Sequence, residues 1–324
     1  MPESGARLQL RELVANELAA PLSEPVTAFA AELRRRHGDA VMAVLFYGSC
    51  LRKQTTEGVL DFYVIVDDYR SGYESRALAL ANAVLPPNVF FCEWLRGDEP
   101  LRAKYAVLSA RDFRRAASPR SIDCRVWARF SQPAALAFVR DEDARREVAE
   151  VATSSCLTFT GRAWAARSGE EASRPFTAEA LVREGFRETY RAELRTERDD
   201  TIQQIFEAQP NRYREMTTLA LRTLADRGEF TLKETPEGFE AHAPKGRRRR
   251  ARLAWQARRP LAKALAIASL LKTAFTFGDW VPYVVWKVER HTAVKIELTE
   301  RQRRHPLVFA WPVVFRLLRE GIYR

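Results

Sequence analysis

The stretch VLFYGSCLRKQTTEGVLDFYVIVDD contains residues that could bind phosphate and a metal ion. Gly48 and Ser49 directly follow Ala43–Tyr47, an apolar run of strand length. Asp61 lies near the start of a second such run, Val59–Val66. Glycine lets a backbone pass close to a phosphate, serine adds a hydroxyl donor, and a carboxylate in an apolar strand is costly to bury unless it is paired or binds a cation. The pattern therefore predicts a Gly-Ser turn that holds a triphosphate beside a strand carboxylate that holds Mg²⁺.

This arrangement resembles the DNA polymerase β-like nucleotidyltransferase superfamily. Members usually carry a second acid two residues after the first, whereas this chain has Tyr63 there. Asp67 and Asp68 do not substitute, because six residues of strand place Asp67 roughly 20 Å from Asp61. They are predicted to end the strand. A second metal ligand, if the site has one, must come from another part of the chain.

Two later charged residues are candidates for the same site. Glu93 is the one acid in the apolar stretch NVFFCEW, and a later strand supplies a third carboxylate in the superfamily plan. Its alternative role is that of a solvent-facing strand glutamate. Lys104 in KYAVLS could neutralise phosphate charge as a compact cation, and its alternative role is that of an edge-strand lysine.

A closer resemblance is carried by three segments: FYGSC-x-x-KQ at 46–54, LDFYVIVDD at 60–68 and KYAVLS at 104–109. They look like the mitochondrial-type phosphatidate cytidylyltransferases, also called translocator assembly and maintenance proteins. That family likewise has a hydrophobic residue two places after the strand aspartate. Cys50 and Ala106 replace the family's second glycines. The resemblance is clear over 44–130 and thin beyond about 200.

The resemblance implies an enzyme that transfers a cytidylyl group from CTP to phosphatidic acid, giving CDP-diacylglycerol and pyrophosphate. It implies catalytic roles for Asp61 and Lys104, with Mg²⁺, or alternatively Mn²⁺, held by Asp61 and Glu93. It also implies nucleotide binding by the residues of the turn segment, which are Tyr47, Gly48, Ser49 and Lys53.

Composition agrees with a phosphate-bearing partner. The 324 residues carry a formal net charge of +11, which favours nucleotides, nucleic acid or an anionic membrane. The four cysteines are widely spaced without a C-x-x-C motif, so neither a zinc site nor a disulfide framework is expected. The N-terminus lacks an apolar signal core, and we expect a cytoplasmic protein peripherally associated with the inner face of the membrane.

Apolar spacing predicts an α+β fold, in which a polymerase β-like domain with a mixed sheet and helices is followed by a helical domain and a basic, amphipathic C-terminal region. The predicted domains are 1–130, 131–240 and 241–324. The predicted elements are a helical stretch over 7–37, a helix over Tyr73–Val84, strands over Val89–Leu95 and Leu101–Leu108, mostly helices over 134–170 and 176–228, and two strand-like pieces within Glu229–Phe239.

The C-terminal region combines basic and apolar runs. Eight lysines and arginines and no acid lie within 244–259, and the apolar run Leu261–Leu271 follows directly. A second apolar run, Pro306–Phe315, is also flanked by arginines. Neither run is long enough to span a bilayer, and their composition is typical of segments that lie in a membrane interface. Helices buried in the core of a small domain are the alternative.

Two other functions remain open at this stage. The basic run at 244–259 suits a nucleotidyltransferase that modifies RNA. Only Trp255 interrupts that run as an aromatic, and no RNA-binding motif surrounds it, so a nucleic-acid partner is not expected. The missing second acid suits a catalytically inactive relative that binds membranes.

Overall fold

The structure is a computed structural model that describes residues 4–96, 99–167, 174–193, 199–276 and 299. It confirms the predicted α+β class: a mixed five-stranded sheet carries helices on both faces. The strand order across the sheet is β3-β4-β2-β1-β5, and β6 and β7 form a separate hairpin. The strands are β1 Val41–Tyr47, β2 Val59–Val66, β3 Asn88–Arg96, β4 Glu99–Ser109, β5 Ala134–Val139, β6 Thr231–Thr235 and β7 Gly238–His242.

The two strands predicted around the Gly-Ser turn are central in this sheet. All seven residues of β1 are buried, and β2 has the bounds that its sequence predicted. Continuous apolar runs of this kind are typical of strands covered on both faces. β1 runs antiparallel to β2 and β5, whereas β2 runs parallel to β4. Strand β2 is therefore held between a hairpin partner and a parallel neighbour.

Helices cover the two sheet faces unequally. One face packs mainly against α2, through Val26, Phe29 and Leu33. The other face joins a larger core that extends from Leu10 to Ala262. The helices are α1 Gly5–Leu18, α2 Glu24–His37, α3 Ser49–Lys53, α4 Arg76–Val84, α5 Ala110–Ala117, α6 Arg125–Phe130, α7 Glu142–Ala166, α8 Ala178–Glu193, α9 Asp199–Ala208, α10 Pro210–Asp226 and α11 Lys245–Thr276.

The structure refines one sequence-based assignment and corrects another. The helical stretch predicted over 7–37 forms two helices, because residues 19–23, which include Pro21, separate α1 from α2. The prediction of helix for residues 134–139 was wrong, since they form β5, which pairs with β1. A short apolar run such as AALAFV does not distinguish a buried strand from a buried helix, so the free edge of β1 decides. Strand β5 and helix α1 both pack across the predicted domain boundary at 130/131.

A buried ion pair joins the first helix to α10. Arg212 donates from Nε to Glu17 Oε1 at 2.6 Å and from Nη2 to Glu17 Oε2 at 3.0 Å. A third donor of Arg212, Nη1, binds the carbonyl of Ser131, and the guanidinium lies 5.0 Å from the Tyr213 ring centroid. The Glu17 charge raises the pKa of Arg212 despite the opposing effect of burial. This contact ties α1, the segment after α6 and α10 together.

The last described helix, α11, packs on the body along one side. Trp255 is buried and donates from Nε1 to Glu188 Oε2 at 3.0 Å. Near its other end, Lys272 Nζ donates to the carbonyls of Leu85 and Pro87 and to Asn88 Oδ1. No helix in the described part of the chain is both long and apolar enough to cross a membrane. The predicted run Pro306–Phe315 lies outside the described residues.

His37 is buried in a setting that disfavours its protonated form. Its Nδ1 lies 2.7 Å from the carbonyl oxygen of Gly72, so Nδ1 must carry the donated proton. Its Nε2 is buried without a hydrogen-bond partner, between the rings of Tyr73 and Tyr105. Burial lowers the pKa of His37 below its usual value of 6.5, because an added proton on Nε2 finds no acceptor.

We therefore expect the free energy of unfolding to fall as the pH drops below 6.5. In that range the unfolded chain binds a proton that the folded chain rejects, and one such proton changes stability by at most about 1.4 kcal/mol per pH unit. Urea unfolding at pH 7.5, 6.5 and 5.5 measures the slope. His37→Asn keeps a donor for Gly72 and should give a shallower slope. Equal slopes for the two proteins would rule out His37 as the cause.

Candidate functional site

Asp61 lies near the start of the central strand β2, on the face that carries the larger core. Its register partners are Tyr47 on β1 and Lys104 on β4. Because strand side chains alternate between faces, Asp61 shares its face with Tyr63 and Ile65, which belong to that core. The carboxylate is thus presented where β1 ends, β2 begins and β4 passes alongside. This is the edge at which the Gly-Ser turn leaves the sheet.

Lys104 and Asp61 form an ion pair. Lys104 Nζ lies 3.1 Å from Asp61 Oδ1, and the two side chains are 32% and 21% exposed. The angles at this contact do not satisfy hydrogen-bond geometry. Asp61 Oδ1 is therefore a buried atom that accepts no hydrogen bond from the described residues. The carboxylate thus keeps hydrogen-bond acceptor capacity that no described residue uses. Partial exposure makes the pair a weak contributor to stability, on the order of 1 kcal/mol or less.

Gly48 lies directly against the same carboxylate. A Cβ atom placed on Gly48 would be 3.0 Å from Asp61 Oδ2. The backbone angles of Gly48, φ +91° and ψ −157°, belong to a region that only glycine adopts readily. The conformation favours glycine here, and a Cβ would also press on the Asp61 carboxylate. This contact agrees with the prediction that Gly48 and Asp61 belong to one site.

The structure does not bring Glu93 to Asp61. In the antiparallel register of β3 and β4, Glu93 lies opposite Arg102, and Arg102 Nε donates to Glu93 Oε2 at 2.6 Å. Two strand spacings and two residues separate Glu93 from Asp61, roughly 12 Å between Cα atoms. The geometry therefore gives no support for Glu93 as a ligand of a metal shared with Asp61.

The other predicted nucleotide-binding residues surround the turn. Tyr47 is buried, with its ring 5.3 Å from that of Tyr63, so it supports the sheet beneath the turn. Ser49 and Lys53 are exposed, at the first and last positions of α3. Ser49 thus has an accessible hydroxyl next to Gly48, whereas Tyr47 acts through packing.

Sequence reasoning did not single out three basic residues of helices α6 and α11, Arg125, Arg129 and Lys272. Helix α6 lies over the face of the sheet that carries Asp61, since the Phe130 ring is 5.2 Å from that of Tyr63. Arg125 and Arg129 are one turn apart on α6, and Arg125 Nη2 contacts Asp123 at 2.6 Å and Ser269 at 3.1 Å.

The third missed residue comes from α11. Burial, together with the nearby Arg125 charge, lowers the pKa of Lys272 to about 8. The spacing of the two arginines in CRVWARF was the signal available for α6, whereas nothing local indicates that Lys272 reaches the start of β3.

A magnesium ion fits this donor set only together with a substrate. In the described residues no cluster of three or more His, Cys, Asp and Glu side chains could hold a metal. Mg²⁺, however, is commonly bound by one or two carboxylates together with substrate phosphates and water. The unused acceptor capacity of Asp61 and the glycine beside it are compatible with that mode. Asp61 is the side chain that would hold the ion.

Gly48→Ala should destabilise the fold at this site. The added methyl group meets Asp61 Oδ2, and alanine is strained at these backbone angles, so we expect a loss of about 1–3 kcal/mol in the free energy of unfolding. Gly5→Ala is the matched control, because nothing lies within 4 Å of a Cβ there. Chemical denaturation measures the loss, and a Gly48→Ala protein that is as stable as Gly5→Ala would contradict the close approach.

Comparison with known proteins does not extend the assignment. No protein-family model matches the sequence, and the search of curated proteins found no significant match. The structure defines an α+β protein with a half-buried Asp–Lys pair beside a glycine-specific turn.

Proposed function

We propose that this protein is a nucleotidyltransferase that transfers the cytidylyl group of CTP to phosphatidic acid. The observation that carries the proposal is the contact of Gly48 with a carboxylate on the central strand, whose partner among the described residues is Lys104. A metal-bound triphosphate requires three groups: a turn whose glycine lets the backbone approach, a carboxylate with unused acceptor capacity, and a cation. The choice of CTP and phosphatidic acid rests on the sequence resemblance.

Each residue has a distinct role in this proposal. Gly48 lets the backbone approach the nucleotide phosphates, and the exposed Ser49 hydroxyl donates to them. Asp61 holds Mg²⁺ together with the substrate phosphates; when bound, the ion neutralises charge and aligns the reacting groups. Lys104 stabilises the negative charge that develops on the transferred and leaving phosphates.

The bond changes are those of a direct displacement. A phosphate oxygen of phosphatidic acid attacks the α-phosphorus of CTP, the bond to the bridging oxygen breaks, and pyrophosphate leaves. The attacking phosphate monoester is already ionised at neutral pH, so the step requires no general base. This agrees with a site in which the carboxylate of Asp61 lies against Gly48 and beside Lys104.

The outward face of α11 supports a lipid substrate. Leu253, Leu261, Ile267 and Leu271 are 49–63% exposed, while Trp255, Ala262 and Ser269 on the opposite side are buried. The exposed cations of the same helix include Arg249, Arg250, Arg252 and Lys263. Exposed leucines among cations favour an anionic lipid surface over RNA, which offers no apolar phase to bury them.

Incubation of the full chain with CTP labelled at the α-phosphate and phosphatidic acid in vesicles tests the proposal. Chromatography should show label in CDP-diacylglycerol. Label transferred instead to an added RNA acceptor would favour the RNA-modifying alternative, and no transfer to either would favour an inactive relative.

Polar substitutions on the outward face of α11 should weaken membrane binding without unfolding the protein. Removing α11 would also remove buried Trp255, so substitution is the sharper test. We expect the Leu261→Gln, Ile267→Gln, Leu271→Gln triple variant to lose at least tenfold in partition to anionic vesicles, because apolar burial contributes about 25 cal/mol per Å². The loss should be largest at 1 M salt. At that concentration charge attraction is screened, so the remaining binding depends on the apolar side chains.

The matched control is Leu80→Gln, Val84→Gln on α4, which removes two exposed apolar side chains elsewhere. Vesicle flotation at 0.1 M and 1 M salt should leave this control unchanged. Equal loss in both variants, or no loss in the triple variant, would exclude α11 as the membrane-binding surface.

A further inference from the structure

A cavity of about 280 Å³ lies between α7, α10 and the segment that precedes β6. Its walls are mainly apolar and include Leu157, Trp164, Leu224 and Phe230. The rings of Trp164 and Phe230 are 4.5 Å apart, which closes one wall. A water molecule's share of liquid volume is about 30 Å³, so the space suits a ligand of roughly nine or ten non-hydrogen atoms. None of its lining residues belongs to the Asp61 site.

Glycine widens the cavity at Gly161. A Cβ there would lie 3.5 Å from Leu224 Cδ1, an ordinary contact distance. Alanine would therefore fit, whereas a larger side chain would occupy the cavity itself. The position offers a direct way to close the cavity without disturbing backbone conformation.

The cavity also contains a cation that lacks a described acidic partner. Arg162 lines it and donates from Nη2 to the carbonyl of Pro119, another lining residue. No carboxylate of the described residues pairs with Arg162, whose guanidinium lies 5.5 Å from the Trp255 ring centroid. Arg258 donates to the same carbonyl at 3.0 Å. Burial, and then the Arg258 charge, lower the pKa of Arg162 to about 10. An anion placed here would relieve both effects.

Other polar groups at the cavity do not supply that anion. Thr158 is already engaged, since its hydroxyl donates to the carbonyl of Ala117 at 2.8 Å. Arg227 and Glu229 are exposed lining residues of opposite charge, so their contributions largely cancel. The half-buried Arg162 therefore sets the sign of the charge that the cavity favours.

We propose that this cavity binds a small single-chain amphiphile with an anionic carboxylate head, which contacts Arg162 while its chain fills the apolar walls. The commitment to one chain follows from the volume, which is too small for the two chains of a membrane lipid. The commitment to a negative head follows from two arginines that meet at one carbonyl. The site is independent of the nucleotidyl transfer proposed above, because it shares no residue with the Asp61 site.

Octanoate, which has ten non-hydrogen atoms, is the probe. Isothermal titration of the full chain should show saturable binding with a dissociation constant of about 1 mM or lower. Octanol and octyltrimethylammonium have the same chain with a neutral and a positive head, and each should bind at least tenfold more weakly. Octanol binding as tightly as octanoate would overturn the role of Arg162.

Two variants separate the head site from the chain site. Arg162→Met should weaken octanoate binding at least tenfold while leaving octanol binding unchanged. Arg258 still donates to the Pro119 carbonyl in that variant, so no acceptor is left without a donor. Gly161→Leu should abolish binding of both ligands.

A third variant keeps the test informative if Gly161→Leu does not fold. Leu224→Ala enlarges the cavity and should shift the preferred ligand from octanoate to decanoate. The proposal would be overturned if the wild type showed no saturable binding. It would also be overturned if Arg162→Met bound octanoate as the wild type does and Leu224→Ala kept the same chain-length preference.

Discussion

Asp61→Asn is expected to reduce cytidylyl transfer to below about 1% of the wild-type rate, a loss of about 2.7 kcal/mol or more in transition-state stabilisation. Asparagine keeps the shape of the side chain against Gly48 and removes the charge that would hold the metal. The fold should survive, because the ion pair of Asp61 with Lys104 is partly exposed and contributes on the order of 1 kcal/mol or less. Turnover with CTP and phosphatidic acid is the measurement, alongside denaturant unfolding.

Asp67→Asn is the matched control for that experiment. Asp67 follows the other end of β2 and pairs with Arg140 at 2.6 Å on the surface. Its loss removes a carboxylate and an ion pair near the same strand without touching the Gly48 turn, so activity should be unchanged. An Asp61→Asn enzyme that retains more than a tenth of wild-type turnover would show that Asp61 is not a metal ligand.

Glu17→Gln should destabilise the protein by about 3 kcal/mol. The Arg212 and Glu17 side chains are only 9% and 18% exposed, so removing the carboxylate charge leaves a buried guanidinium without its counter-charge. Glutamine preserves the size of the side chain and one acceptor, which places the expected loss at the lower end of the range for broken buried pairs. Urea unfolding at constant pH measures the change.

The same helix carries a matched exposed pair. Arg222 donates to Glu234 at 2.6 Å and 2.9 Å with the same two-point geometry, but its side chains are 47% and 44% exposed. Glu234→Gln should therefore cost less than about 1 kcal/mol. Replacing both Glu17 and Arg212 by methionine should recover much of the stability, since it leaves no buried charge. Similar losses in Glu17→Gln and Glu234→Gln would show that burial does not control the Arg212 pair.

The local pattern of residues was sufficient for the centre of the sheet. β2 was predicted with its observed bounds because a run that is apolar except for Asp61 ends at acidic residues, and the Gly-Ser turn marks the end of β1. The contact of Gly48 with Asp61 was also predictable, because an antiparallel hairpin brings the end of one strand to the start of the next. The strand bounds and the contact of Gly48 with Asp61 are determined by residues that are close together in the sequence.

Features that depend on distant pairing were not predictable in the same way. Residues 134–139 became a strand because β1 had a free edge to pair with. Glu93 was separated from Asp61 by a register that places it opposite Arg102. Neither register follows from local apolar spacing, because both strands are compatible with several pairings.

In the C-terminal region, one helix contains a feature that the sequence predicted and a feature that only packing decided. Composition indicated a basic segment followed by an apolar one, and it left open whether the apolar residues face a membrane or a core. The structure divides them: Ala262 and Ser269 are buried against the body, whereas Leu261, Ile267 and Leu271 face outward. The packing partners of Trp255 and Lys272 on distant elements select which side of α11 is buried, and a helix by itself contains no information about those partners.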